Sequence, residues 1–548
     1  MLFHILHCYL LLGTQFMSVD EIKPGMKGYG LSVFSGTKID TFNVEIIDVM
    51  KKVVPKGNII LARLSGGIID TAGVIVGMSG SPIYIYEHSD TLDKTNTGVI
   101  SNPKLIGAIA YNYGAFPITP LAGITPIEEI LNPPSLGYIH SGSKFCYAKI
   151  PIICPGLDDQ ILQEFEKELQ CFDILRVQGS SGIIDDSIIP SPGASLGILL
   201  VDGDLTWYTI GTCTYTEGNK IWGFGHPMMA LGKTDLPMIG GYVYSVVPSS
   251  YVSYKMAGPT KIIGTINNDN PRGISGLIGK IPELISFNLI IKGEKFHYRI
   301  VKEKIFLPLL FGGLTFYSIY TGIKEVGDMT AETDLRIEAQ EGEQTFEPLH
   351  FHFKNLYTGT PLDITKAIVE VFSIIQNNPF QKIDIKEIGL NLTTYDIIKL
   401  AKIEEIRVNK KEISCGDTID LFIRLIVHQS GNVKRHVRIG IPPSVKKGTL
   451  SLKVEDGKTV RTQIRPRLTT IDEIMRWMTT SPRDNEIVVT LTQKGESGWI
   501  SGVEFHSLPP SVASFIKEEG KGDSKVLETT IPTEWVIMGK KSIELEVK

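Results

Sequence analysis

Short runs of β-branched and aromatic residues, each ended by glycine, proline or a polar turn, recur along most of this 548-residue chain. Runs of this length and composition are typical of β-strands. The 54 glycines exceed the usual share, which suits a protein with many turns. The sequence therefore predicts a mainly β protein, and its length calls for more than one hydrophobic core.

One hexapeptide, Gly-Met-Ser-Gly-Ser-Pro at 77–82, stands between two such runs at 72–76 and 83–86. We predict that the two runs are strands and that the hexapeptide is the turn between them, with Ser79 at the bend. A turn of this composition without any chemistry explains the hexapeptide about as well as a functional site does.

The same hexapeptide has the features that a nucleophilic serine needs. Gly77 and Gly80 provide backbone freedom and clearance for a substrate. Pro82 can begin a strand because its missing N–H falls at the first position. The N–H groups of Gly77 and Ser79 would then converge on one oxyanion and form an oxyanion hole.

A serine hydroxyl is a weak nucleophile unless a base lies beside it. Of the 11 histidines, His226 is the best candidate for that base. It lies between Gly225 and Pro227, directly after a predicted strand, so its ring should project into the mouth of a loop. Taken alone, His226 is more simply interpreted as an exposed turn histidine.

Charge and cysteine content exclude several classes of function. The formal net charge of -5 and the absence of a basic stripe with interleaved aromatics argue against nucleic-acid binding. The six cysteines show no paired spacing, which indicates neither a disulfide scaffold nor a zinc site and leaves at least one free thiol. No motif predicts a cofactor or a metal.

Several motifs resemble the SpoIVB-type serine peptidase family and together cover most of residues 20–290. Those resembling its serine-bearing part are Gly77 to Pro82, Leu-Ile-Gly-Ala at 105–108, and Gly-Ile-Thr-Pro-Ile-Glu-Glu at 123–129. Those resembling its histidine-bearing part are Gly-Thr-Cys-Thr-Tyr at 211–215, Gly-His-Pro at 225–227, Ile-Gly-Thr-Ile at 263–266, and Asp269.

The resemblance implies a trypsin-like double β-barrel serine endopeptidase that acts on proteins or peptides outside the cytoplasm. Ser79 would match the nucleophile and His226 the general base. Here the serine-bearing half precedes the histidine-bearing half, the reverse of the sporulation peptidase, so the barrels would be permuted. The family's acidic residue would fall near Leu64 and Ser65, and neither is a carboxylate.

Asp269 is our candidate to orient the His226 imidazole. It follows His226 by about the separation of base and acid in trypsin-like barrels, and a polar turn is predicted at 267–273. Asp70 and Asp235 are the alternatives. A turn aspartate that caps its own backbone is an equally good interpretation of Asp269.

The predicted organisation has five parts. Residues 1–17 are a signal peptide or N-terminal anchor, with Met17 as the true first residue as the alternative. They are followed by a serine-bearing barrel half at 18–131 and a connection at 132–190 that contains one amphipathic helix at 158–170. A histidine-bearing barrel half at 191–335 comes next, and sandwich-like accessory β-rich domains with a few short helices occupy 336–548. An uncharged run at 305–323 is expected to be a buried core segment, with a membrane span as the alternative.

Two functions from different classes are consistent with these features. The first is a serine endopeptidase located outside the cytoplasm, either free or held by its N-terminal segment. The second is a catalytically silent envelope module that binds peptides or cell-surface partners, which the missing carboxylate near Ser65 favours. The sequence predicts no oligomeric state.

Overall fold

The computed structural model describes most of the chain. The described residues are 14–54, 57–86, 103–113, 119–133, 151–154, 175–177, 179–180, 182–184, 188–323, 327–342, 347–464, 468–500, 503–505 and 521–548. Most of the predicted N-terminal apolar segment and the predicted amphipathic helix at 158–170 lie outside them.

Strands dominate the regular structure, which confirms the prediction of a mainly β protein. In chain order the strands are β1 (Lys27–Ser35), β2 (Lys38–Val54), β3 (Gly57–Ser65), β4 (Pro82–Ile85), β5 (Lys104–Asn112), β6 (Leu121–Pro126), β7 (Pro151–Ile153), β8 (Leu175–Val177), β9 (Ser195–Gly203), β10 (Trp207–Glu217), β11 (Lys220–Gly223), β12 (Gly232–Val247), β13 (Tyr254–Asn270), β14 (Gly273–Ile278), β15 (Leu284–Ile291), β16 (Glu294–Val301), β17 (Met329–Glu341), β18 (Leu349–Gly359), β19 (Ile383–Tyr395), β20 (Leu400–Val408), β21 (Glu412–Ile413), β22 (Thr418–Val427), β23 (Gly431–Gly440), β24 (Gly448–Asp456), β25 (Glu486–Ile500), β26 (Val503–Phe505), β27 (Lys521–Pro532), β28 (Val536–Met538) and β29 (Lys540–Val547).

Helices are few and mostly short. In the ranges that the structure describes they are Ile69–Ala72, Ile127–Leu131, Leu307–Ile323, Pro361–Gln376, Gly457–Ile464 and Ile471–Thr480, with a 3-10 turn at Val19–Glu21. The chain divides into two compact units, one made of Met1–Leu284 with Tyr298–Leu307 and the other of Ile285–His297 with Pro308–Lys548.

The first unit begins with a closed barrel of six strands in the order β1-β2-β3-β6-β5-β4. The barrel closes where β4 pairs with β1, with Gly28 opposite Ile85. Apolar side chains that alternate along the strands fill the interior, among them Phe42, Ile60 and Ile106.

A second group of six strands in the same unit also closes on itself. Strand β9 pairs with β10, β10 with β11, β11 with β14, β14 with β13, β13 with β12, and β12 again with β9. When each group is numbered from its own first strand, both follow the order first, second, third, sixth, fifth, fourth. The first unit therefore repeats one strand arrangement.

The predicted strand at 72–76 is wrong. A short helix, Ile69–Ala72, begins after Gly66 and Gly67, and an irregular segment then leads into the hexapeptide. Val74 and Ile75 of this segment are buried in the barrel core, which explains why the run is apolar without being a strand. The strand predicted after the turn is confirmed, and it begins at Pro82.

Two predicted polar features near the site are also wrong. Thr125 and Glu128 have the spacing of a capping box, which predicts that Thr125 caps the following helix. Thr125 instead lies in β6 and donates its hydroxyl to the carbonyl of Gly225, so it does not cap the helix Ile127–Leu131. The predicted turn at 267–273 is shorter than expected, because β13 continues to Asn270. Asp269 therefore lies in a strand and not in a loop.

The second unit combines a mixed sheet, helices and two further sheets. Strand β17 pairs antiparallel with β18 and β19, and β19 pairs parallel with β15. Further along the chain, the sheet β23-β22-β20-β28 and the sheet β21-β29-β24-β25-β26 share one hydrophobic core. The sandwich-like accessory domains expected at 336–548 stay a prediction.

The uncharged run at 305–323 forms the helix Leu307–Ile323, as a buried segment would. Phe311 is buried, and its ring lies 4.5 Å from that of Phe372 on the helix Pro361–Gln376. In the part of the chain that the structure describes, no helix is both long enough and apolar enough to cross a membrane. The three cysteines among the described residues, Cys154, Cys213 and Cys415, form no disulfide.

Candidate active site

The hexapeptide forms a tight turn at the end of the barrel, here called the serine turn (residues 77–81). The side chain of Met78 is fully buried in the barrel core and anchors the turn. Three backbone hydrogen bonds shape it: Met78 N–H donates to Ile75 O, Gly80 N–H to Ile109 O, and Ser81 N–H to Met78 O. Gly77 and Gly80 have φ values of 99° and 94°, so the glycines are required by the conformation.

Strand β10 of the second group of strands holds the serine turn from the other side. The backbone N–H of Thr212 donates to Ser79 O over 2.7 Å, and the Thr212 hydroxyl donates to Gly77 O over 2.9 Å. The hydroxyl of Thr214 donates to Gly80 O over 2.8 Å. These three hydrogen bonds therefore fix the serine turn between the two groups of strands.

The segment that carries His226 packs against the serine turn. We call residues 223–227 the histidine segment. A Cβ at Gly80 would clash with Thr212 O and with the backbone N of Phe224. Phe224 is a bulky residue with φ of 67°, an unusual conformation for it. Backbone strain of this kind is concentrated at functional sites.

The barrel also contacts the histidine segment directly. The Thr125 hydroxyl donates to Gly225 O over 2.7 Å, and a Cβ at Gly225 would lie 2.9 Å from Ile109 O. Gly225 has φ of 67°, so this close approach also depends on glycine. Ser79 and His226, which are far apart in sequence, therefore lie on two segments that pack against each other.

The contact of the His226 ring defines its tautomer. Nδ1 lies 2.8 Å from the carbonyl oxygen of Pro227. A carbonyl oxygen only accepts hydrogen bonds, so in the neutral ring Nδ1 carries the proton and Nε2 carries the lone pair. A general base needs this arrangement, because Nε2 is then the nitrogen that can take a proton.

Asp269 supports the loop that follows His226. Its carboxylate accepts hydrogen bonds from the N–H groups of Met228, Met229 and Leu231 at 2.8, 2.8 and 3.1 Å. Burial raises the pKa of the Asp269 carboxyl, against the opposing effect of these backbone hydrogen bonds. Its assignment as the acid that orients the imidazole stays a prediction, and the geometry gives it a supporting role behind Pro227.

The two alternative carboxylates have other partners. Asp70 accepts a hydrogen bond from Gly66 N–H at the start of its own short helix. Asp235 accepts one from the Thr265 hydroxyl and pairs with Lys280 at 3.0 Å. These contacts assign both residues to local structure.

A buried ion pair lies behind the histidine segment. Arg272 Nε is 2.9 Å from a carboxylate oxygen of Glu129, and the two side chains are only 3% and 11% exposed. Glu129 also accepts a hydrogen bond from Asn58 N–H. Burial raises the pKa of Glu129, while the hydrogen bond from Asn58 and the charge of Arg272 act in the opposite direction. The pair ties the turn after β13 to the helix Ile127–Leu131.

Lys255 lies buried beneath the serine turn, and the sequence did not identify it as a site residue. Lys255 is 2% exposed, and its Nζ donates to Ser32 Oγ over 2.9 Å and to Thr212 Oγ1 over 3.5 Å. Burial lowers its pKa to about 7. A lysine at the start of β13 carries no local signal that separates it from an exposed lysine, so only the fold reveals that it is buried.

The threonines were also missed as site residues, although they lie within the motifs that resemble the peptidase family. Thr125, Thr212 and Thr214 all donate to carbonyl groups of the serine turn or the histidine segment.

The chain matches no protein-family model, no curated protein and no solved structure. The resemblance to SpoIVB-type peptidases therefore rests on the short motifs alone.

Proposed function

We propose that the protein is a serine endopeptidase of the SpoIVB type. The observation that carries the proposal is the packing of the serine turn against the histidine segment. The two glycine-dependent turns meet where Gly80 approaches the backbone of Phe224. Hydrogen bonds from Thr212 and Thr214 hold the serine turn, and one from Thr125 holds the histidine segment. Such convergence is what a nucleophile and a base need when they are distant in sequence.

In the proposed reaction Ser79 Oγ attacks the carbonyl carbon of a peptide bond while His226 Nε2 takes the hydroxyl proton. The resulting imidazolium then gives that proton to the leaving amine as the C–N bond breaks, which leaves an acyl-enzyme. Water, activated by the same nitrogen, hydrolyses the ester and restores the Ser79 hydroxyl. The Pro227 carbonyl keeps the proton of the resting imidazole on Nδ1.

The oxyanion would be bound by the N–H groups of Gly77 and Ser79. Backbone donors held by a fixed turn stabilise developing charge without reorganisation. The two peptide groups that carry these N–H groups are held through their carbonyls, because Val76 O accepts from Lys255 N–H and Met78 O accepts from Ser81 N–H.

We further propose that the barrel and the second closed group of strands are the two halves of a permuted trypsin-like double barrel. The shared strand order of the two groups supports this proposal. A site of action outside the cytoplasm, on protein or peptide substrates, is part of the same proposal and rests on the family resemblance.

A catalytically silent peptide-binding module is the second candidate. One observation favours it: Ser79 is 1% exposed and His226 is 2% exposed. A substrate would have to displace covering residues before it reached Ser79 Oγ. A silent module would bind peptides or envelope partners without acylation of Ser79.

A small fluorophosphonate probe separates the two candidates, because it reports acylation of an activated serine and needs little space. We expect labelling of the wild type at Ser79 and loss of labelling in Ser79→Ala and His226→Ala. The matched controls are Ser250→Ala and His350→Ala, which change exposed residues. Undiminished labelling of His226→Ala, or no labelling of the wild type, contradicts the peptidase proposal.

A further inference from the structure

The buried lysine beneath the serine turn is the feature that the proposed mechanism leaves unexplained. An ammonium group is strongly hydrated in water, and its transfer to a protein interior is costly unless partners compensate. Among the described residues, no carboxylate forms an ion pair with Lys255. Its charge is instead directed at hydroxyl groups that belong to the site.

The contacts of Lys255 join both groups of strands to the turn. Nζ donates to Ser32 Oγ on β1, and Ser32 Oγ also accepts from the Ser81 hydroxyl at 3.2 Å. Nζ donates to Thr212 Oγ1 on β10, and Thr212 donates onward to Gly77 O. The lysine therefore reaches both ends of the serine turn through one hydroxyl on each side.

The rest of the lysine is also part of the turn's support. Its backbone N–H donates to Val76 O over 3.0 Å. Its side-chain stem packs against Gly77, where a Cβ would lie 3.0 Å from Lys255 Cδ. The groups around it are Phe34, whose ring centroid is 5.9 Å from Nζ, together with Val246 on β12 and Ser253.

We infer that Lys255 is a positioning residue whose protonated form holds the serine turn in its reactive geometry, so that alkaline pH releases the turn. This inference rests on the proposed peptidase function. An ammonium group has three donors and makes charge-assisted hydrogen bonds, which are stronger than those of a neutral amine. Loss of the proton weakens the chains to Gly77 and Ser81 together.

The groups that face Nζ make Lys255 the titrating member of this cluster. They are the hydroxyls of Ser32 and Thr212 and the ring of Phe34, none of which is charged. Burial is the cause of the lowered pKa, which lies at about 7. The change therefore falls in a pH range where the protein can be assayed.

Two effects of pH on the protein have opposite signs. In the unfolded chain a lysine has its ordinary pKa of about 10.4. Between about pH 7 and that value the unfolded chain binds more protons, so the free energy of unfolding rises with pH. The serine turn, in contrast, loosens over the same range.

The first test measures the rate of fluorophosphonate labelling of Ser79 from about pH 6 to about pH 9. We expect the wild-type rate to fall by about tenfold above neutrality, the effect of one charge-assisted hydrogen bond. Lys255→Met should be slow at all pH values and should lack this fall. Lys261→Met, which changes an exposed lysine on the same strand, should keep the wild-type profile.

A second test does not depend on catalysis. Hydrogen exchange should show that protection of amides 76–81 in the wild type decreases with rising pH while global protection increases. In Lys255→Met the turn should be poorly protected at every pH, although its melting temperature at neutral pH should be higher than that of the wild type. A lysine that only stabilised the fold would lower the melting temperature on replacement.

The outcomes are distinguishable. If the wild type is labelled without a fall at alkaline pH, or if Lys255→Met keeps the fall, the role of Lys255 is refuted. If the wild type is labelled at no pH, the peptidase proposal fails and hydrogen exchange decides the role of Lys255. Protection of amides 76–81 that does not change with pH in the wild type overturns the inference even if Lys255→Met fails to fold.

Discussion

The hydroxyl of Thr125 donates to the carbonyl oxygen of Gly225 over 2.7 Å across 100 residues of sequence. This bond joins the last strand of the barrel to the residue before His226. The same threonine had been expected to cap the helix that follows it. Its recruitment to Gly225 explains why the Gly-Ile-Thr-Pro motif belongs to the site.

Replacement of Thr125 tests this contact. Thr125→Val keeps the shape of the side chain and leaves the buried Gly225 carbonyl without its donor, which should lower the free energy of unfolding by about 1–3 kcal/mol. Labelling of Ser79 should also slow, because the histidine segment loses a support. Urea unfolding and probe labelling measure the two effects. Thr462→Val, where an exposed hydroxyl bonds to Lys458 O, should change stability by less than about 0.5 kcal/mol.

Gly80 tests the fit between the serine turn and the histidine segment. Gly80→Ala places a Cβ against Thr212 O and Phe224 N at a φ of 94°, which should cost about 3 kcal/mol and abolish labelling. Gly218→Ala is the matched control, because its φ is 59° and nothing lies within 4 Å of a Cβ there. It should cost about 1 kcal/mol. Equal effects of the two substitutions on labelling would show that the close packing is unimportant.

The role of Asp269 is tested by Asp269→Asn. Asparagine has one acceptor oxygen and a donor amide, so it cannot accept the N–H groups of Met228, Met229 and Leu231 together. We expect a loss of about 3 kcal/mol in the free energy of unfolding and slower labelling. Asp20→Asn, on the surface, should change neither measurement. A variant that loses activity at full stability would instead support direct orientation of the imidazole.

The buried pair of Arg272 and Glu129 can be tested with a double-mutant cycle. Arg272→Met alone should cost about 3–5 kcal/mol, because it leaves a buried carboxylate without its cation. Glu129→Gln in the same chain should recover part of that loss. The same cycle on the exposed pair Arg63 and Glu45 should give about 0–1 kcal/mol. Denaturant unfolding supplies all the values, and additivity at the buried pair would contradict the proposed coupling.

The strands were largely predictable because their signal is local. Runs such as those of β1, β3, β5 and β10 are short, rich in β-branched and aromatic residues and ended by turn residues, and each forms a strand. The helix Ile471–Thr480 has an equally local signal, because Thr470 precedes Glu473 by three residues and Thr470 Oγ1 accepts the Glu473 N–H. Such features depend on neighbours in sequence, so the sequence alone reveals them.

The errors have a common physical cause. The run before the serine turn is apolar because Val74 and Ile75 fill the barrel core, and burial overrides strand pairing there. Thr125 donates its hydroxyl to Gly225 O and does not cap its own helix, and the carboxylate of Asp269 accepts hydrogen bonds from the backbone after His226. In each case a residue distant in the chain competes successfully with the local partner.

Glycine, serine and proline have local conformational requirements, so the sequence alone indicates which residues could form the serine turn and the histidine segment. Folding of the whole chain is needed to bring these turns together and to bury Lys255 beneath Gly77. Those relationships arise from the closing of two groups of strands on each other, and no local pattern encodes the distance between such surfaces.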